Sequence, residues 1–93
     1  MYEITNYTKA KAKELGVTVK NSTNSKKKID VYKNNQKVAS IGSVSYGDYG
    51  TFLKEKGKGK TFADEKRRLY KIRHSKDRKV TGSNGWYADK LLW

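Results

Sequence analysis

The sequence predicts an α+β fold: a small antiparallel sheet of two or three strands packed with three or four helices. Residues 29–41 place two β-rich runs around an Asn-rich turn, the pattern of a β-hairpin. Residues 61–78 carry a helical pattern opened by Thr61, with Asp64 and Glu65 in the first turn and Lys76 and Arg78 in the last, so both ends complement the helix dipole. Shorter helical patterns lie near the two ends of the chain.

In chain order, residues 7–15 (YTKAKAKEL) predict a short helix, with Ala10 and Ala12 as strong helix formers, Asn6 or Thr8 as the cap and Gly16 as the stop. Val17–Val19 is a candidate third strand, and residues 21–28 (NSTNSKKK) read as a loop. Residues 29–32 (IDVY) and 37–41 (KVASI) are the hairpin strands, joined through Lys33-Asn34-Asn35-Gln36. Asp48 is placed to cap a short helix running through Phe52 and Leu53 to Lys56. Gly57 to Lys60 reads as a basic linker. In the 61–78 helix, expected to be the longest, Thr61 and Asp64 resemble a capping box. Phe62, Leu69 and Ile72, at i, i+7 and i+10, form the expected core face. Residues 85–93 (GWYADKLLW) predict a final amphipathic turn or helix. Trp86, Leu92 and Trp93 are costly to leave wet together, so this tail is expected to dock on the core or on a partner.

Composition narrows the function. The 93 residues fit one small basic domain, residues 1–93. The apolar fraction is 34%, below the usual ~45–50%, so the core is thin, with seven Tyr, two Phe and two Trp to compensate. The absence of Cys excludes disulfides and thiolate metal sites. No apolar run approaches the ~18–20 residues that span a bilayer, so no membrane insertion is expected. The first residues lack a signal-peptide pattern, which points to an intracellular or virion location.

Lys and Arg number 22 against nine acids, a formal net charge of +13. Such a surplus repels itself in the compact state and persists most readily where an anionic partner neutralises it. Residues 54–79 alone hold twelve Lys or Arg and four acids. The candidate phosphate-contacting residues are Lys56, Lys58, Lys60, Lys66, Arg67, Arg68, Lys71, Arg73 and Lys76, with the arginines suited to bidentate contacts. The alternative for this segment is a solvated helix face. Trp86, Leu92 and Trp93 are the candidate protein-interface residues.

Other chemistry is thinly supported. Gly59-Lys60-Thr61 ends like a phosphate-binding loop of nucleoside triphosphatases, but position 54 is Lys where that pattern needs Gly. A phosphate held by free N–H groups at the start of the 61–78 helix, beside Lys58 and Lys60, is the weaker surviving form of that idea. His74 and Asp77 stand at i and i+3, best read as a helix side-chain pair. One His cannot supply a usual zinc set, and the acids are too scattered for a two-metal nuclease. The expectation is no enzyme, no metal and no cofactor. Tyr46 and Tyr49 are placed to stack on bases or to fill the core, the second being favoured.

The stretch from Tyr70 to Trp93 is similar to small basic proteins of unknown function encoded by large DNA viruses of algae and amoebae. Tyr70, Arg73-His74, Asp77, Gly82, Gly85-Trp86-Tyr87-Ala88-Asp89 and Leu92-Trp93 carry the resemblance, and KNNQKVASIG in the front half resembles the group more loosely. The resemblance implies a viral source and a place in or near the virion, and no catalytic residues. The leading expectation is sequence-tolerant binding of nucleic acid, DNA ahead of RNA, as in genome packaging. The alternative is a structural virion protein, such as a minor capsid or core component, whose basic face meets acidic protein surfaces.

Overall fold

The computed structural model describes residues 2–54 and 59–93, without the side chain of Asp77. Its order is α1 (Asn6–Leu15), β1 (Thr18–Asn21), β2 (Lys27–Lys33), β3 (Gln36–Ser43), α2 (Tyr49–Lys54), α3 (Gly59–Arg73), a 3-10 turn (Asp77–Lys79) and α4 (Asn84–Leu92). The three strands form one antiparallel sheet in the order β1-β2-β3. This is the α+β arrangement the sequence predicts. The Cα radius of gyration is 12.6 Å, close to the ~12 Å of a compact chain of this length.

Local chemistry accounts for the element ends. Thr5 caps α1 by accepting from the Thr8 N–H at 3.2 Å, in place of the expected Asn6 or Thr8. Gly16 ends α1 in the left-handed region at φ 73° and returns its N–H to the last turn, where a residue with a Cβ would be strained. Asn34 and Asn35, at φ 54° and 64°, form the two-residue turn between β2 and β3. Both positive angles match the twist of a tight hairpin, and Asn tolerates them. Val38 is the extra residue between the Val31–Ala39 and Tyr32–Lys37 pairs. Asp48 caps α2 as expected, its Oδ1 accepting from the Thr51 N–H at 2.9 Å. Ser83 caps α4 by accepting from the Trp86 N–H.

The core lies between one face of the sheet and helices α1 and α4. Ile29, Val31, Ala39 and Ile41 meet Ala12, Tyr87, Leu91 and Leu92. Helix α1 also closes the end of α4: Thr8 Oγ1 donates to the Leu91 carbonyl at 2.8 Å, and the Tyr7 hydroxyl to that of Trp93 at 3.0 Å. These carbonyls have no partner within their own helix. The short approach of α1 to α2 requires Gly50, because a Cβ there would collide with Thr5.

Two sequence expectations are overturned in α3. The helix begins before Thr61, which is therefore no N-cap, and stops at Arg73 rather than 78. At the end the Ser75 N–H bonds back to the Ile72 carbonyl, while the Arg78 Nε takes the Lys71 carbonyl at 3.2 Å. A side-chain donor thus replaces the next backbone donor, and the chain turns. The buried face is also different. Leu69 is 40% exposed and Ile72 60%, Phe62 is half-buried, and the residues turned inward are Ala63 and Tyr70. That is a rotation of about 100°, one residue's worth of helix. Tyr70 stacks on Trp93 at 4.6 Å, Arg67 lies over the Tyr49 ring at 4.0 Å, and Lys71 Nζ reaches Asp89 at 2.7 Å. These three contacts all demand the Ala63–Tyr70 side.

Candidate functional site

The basic residues fall into two groups that differ in how their charge is used. On α3, most cations already hold acids. Lys60 Nζ is 2.7 Å from Asp64, Arg67 pairs with the same carboxylate at 3.4 Å, and Arg68 grips Glu65 with two nitrogens at 3.1 and 2.5 Å. Lys60, Tyr49 and Arg67 together hold the Asp64 carboxyl below the usual carboxylate range, and Arg68 does the same for Glu65. Lys71 is bound to Asp89, whose side chain is 3% exposed, and so fastens α3 to α4. Lys66 lies over the Phe62 ring at 5.4 Å. Among the described residues, Lys66, Arg73 and Lys76 have no acidic partner. Lys56 and Lys58 lie outside the described residues.

The sheet holds the second group, which sequence reasoning passed over. Between Glu14 and Asp48 there are six lysines and a single acid, Asp30. That acid is only 1% exposed. Burial disfavours its charge, but hydrogen bonds from Ser22 at 2.7 Å and Ser40 at 2.6 Å, with the Thr23 N–H, outweigh this and lower its pKa. Lys28 is withdrawn as well: it is buried, and its Nζ is 2.9 Å from the buried Asp48 carboxylate, which also accepts from the Tyr2 hydroxyl at 2.7 Å. Burial opposes the charged form of Asp48, yet Lys28, the Thr51 N–H and Tyr2 hold its carboxyl below the usual range. Burial and the neighbouring Asp48 push the Tyr2 phenol well above its ordinary value.

The remaining lysines of the sheet and of the turn before β2 form no ion pair among the described residues. Lys20, Lys26, Lys33 and Lys37 are exposed, and Lys27 is half-buried. Lys20, Asp30 and Ser40 form one row across the face opposite the core, and Thr18, Tyr32 and Lys37 the next. Lys20 Nζ sits 5.2 Å over the Tyr32 ring. The available signal was the acid-poor run from Lys20 to Lys37. It is diluted along the sequence by Asp30, and strand alternation alone does not say that Asp30 is covered.

A groove of about 740 Å3 runs between α3 and the loop after β3. Leu69 and Ile72 stand on its α3 wall, Tyr46 and Gly47 on the loop wall, with Phe52 and Trp93 among its lining residues. Tyr46 is 74% exposed and Tyr49 5%, so the two tyrosines split between surface and core. Trp93 and Trp86 pack partly buried against the core. Leu92 is 2% exposed and belongs to the core, which removes it from the candidate interface.

The remaining sequence motifs change meaning. Gly59-Lys60-Thr61 is the first turn of α3, and Lys60 is occupied by Asp64. His74 lies beyond the helix end, stacked on Tyr70 at 4.4 Å, so His74 and Asp77 do not share a helix. The Asp77 side chain lies outside the description. Among the described residues no cluster of three or more His, Asp or Glu could hold a metal ion, and no helix is long and apolar enough to cross a membrane. In comparisons with protein-family models, curated proteins and solved structures, nothing matches this chain.

Proposed function

We propose that this protein is a non-catalytic binder of nucleic acid, DNA ahead of RNA, that grips phosphates without reading bases. One observation carries the reading: the exposed lysines of the sheet and of the turn before β2, Lys20, Lys26, Lys33 and Lys37, form no ion pair among the described residues. An uncompensated ammonium gains more from a phosphate than one that must first leave a carboxylate, and each phosphate contact releases condensed counterions. Flexible lysines act as point charges and track a backbone without fixing a register, which suits sequence-tolerant binding. The resemblance of the C-terminal stretch implies a viral source, and packaging of a genome is the setting that suits such binding.

The test is the salt dependence of duplex DNA binding. For the wild type the logarithm of affinity should fall linearly with the logarithm of salt, with a slope of about −0.9 per phosphate engaged. Replacing Lys20, Lys26, Lys33 and Lys37 with Gln should shrink that slope by up to about 3.6. Replacing Lys60 and Arg68, both held by neighbouring acids, should change it by less than about one unit. Equal slopes for wild type and the sheet variant would remove the proposed surface. If the wild type bound no DNA at near-physiological salt while association with particle proteins depended on these lysines, the structural virion reading would replace this one.

A further inference from the structure

We infer that the groove between α3 and the loop after β3 is a docking site for an acidic amphipathic helix of a protein partner. The face of α3 that its periodicity marks as a core face looks outward here. Leu69 and Ile72 are 40% and 60% exposed, and Tyr46 across the groove is 74% exposed. Scattered exposed apolar residues are ordinary, but these three line one concavity of about 740 Å3 together with Phe52 and Trp93. A concavity of this kind removes apolar anchors from water where a flat patch would not.

Charge selects the occupant. Lys66 and Arg73 line the same groove, both are exposed, and neither has an acidic partner among the described residues. The stripe therefore sets two apolar side chains, Leu69 and Ile72, between two cations, Lys66 and Arg73, along one side of α3. The complement is a helix with apolar anchors at i, i+3, i+4 and i+7, flanked by Glu or Asp. A second copy of this chain also carries +13 and is repelled. A phosphate backbone has no apolar surface to place over Leu69 and Ile72. This site is thus separate from the lysines of the sheet and does not depend on the nucleic-acid reading.

The experiment uses the full chain and a labelled synthetic peptide of about 18 residues, with Leu at i, i+3, i+4 and i+7 and Glu on its other faces. A scrambled peptide of the same composition and an oligoglutamate of the same length are the comparison probes. Binding is read by fluorescence anisotropy at near-physiological salt, and by Trp93 emission in a Trp86→Phe background. The amphipathic peptide should bind at least tenfold more tightly than either comparison probe and shift the Trp93 emission. Ile72→Glu and Arg73→Glu should each weaken it at least tenfold, while the melting temperature and the salt slope on DNA keep within one contact of their wild-type values. Two variants of different chemistry guard against a local packing effect. No binding of the amphipathic peptide, equal binding of the three probes, or insensitivity to Ile72→Glu would overturn the inference. Displacement of the peptide by duplex DNA from the wild type would also overturn it, since one surface would then serve both.

Discussion

The sheet and helix α3 carry comparable numbers of cations and put them to different uses. On α3, Lys60, Arg67 and Arg68 are satisfied by acids three or four residues away, and Lys71 by an acid on α4. On the sheet, the single acid is buried under hydroxyl donors, and among the described residues Lys28 alone of these lysines has an ionic partner, so the exposed ones keep their charge for something else. Density of basic residues along a sequence is therefore a poor guide to available positive charge. What counts is whether a helix or a fold brings an acid within reach of each one.

Four changes would break or sharpen that contrast, in descending order of effect. The largest falls at Lys28, the sheet lysine held by a buried carboxylate. Asp48→Asn leaves the buried Lys28 ammonium uncompensated and should cost about 3–5 kcal/mol in denaturant unfolding. The same pair sets a pH dependence. The folded chain holds the Asp48 proton more weakly than the unfolded chain does, so its contribution is fully present above about pH 4 and is lost as pH falls through the lowered folded value. The variant should lack that part of the acid transition, and an acid titration indistinguishable from wild type would show the pair to be unimportant.

Lys71→Met comes next. It strands the buried Asp89 carboxylate, but Lys71 is itself about one-third exposed, which moderates the loss to about 1–3 kcal/mol. Thermal unfolding should register this as a lower melting temperature, with little change in DNA affinity. A variant that bound DNA several-fold more weakly while melting normally would place Lys71 on the binding surface instead.

Leu69→Ala should cost less than about 1 kcal/mol, against the 2–5 usual for a fully buried Leu such as Leu91. A large loss at Leu69 would mean that α3 packs with the face the sequence predicts. The smallest effect belongs to Arg68→Gln. Its pair with Glu65 has both side chains more than half exposed, and such pairs contribute about 0.5 kcal/mol or less. Its stability and its DNA slope should both stay within error of wild type.

Much of the fold was legible because its signals are local. The Asn34-Asn35 turn, the Gly16 stop, the Asp48 cap and the docking of the C-terminal tail each depend on a few adjacent residues or on plain hydrophobicity. The candidate site was less legible. Strand periodicity places Lys20 and Asp30 on one face, while Lys37 joins them only through the Val38 bulge, and how far Asp30 is withdrawn depends on Ser22, Thr23 and Ser40 closing over it.

The sequence by itself determined the α+β class, the hairpin, the helical nature of α3 and the large positive surplus. Each follows from backbone preferences, short-range capping and residue counts. Only the tertiary structure decided which face of α3 is inside and which cations are free. Helical periodicity gives a helix a face and leaves its rotation to its neighbours. Here the Tyr70–Trp93 stack, the Arg67–Tyr49 contact and the Lys71–Asp89 pair come from residues far apart in sequence, and together they turn Leu69 and Ile72 outward.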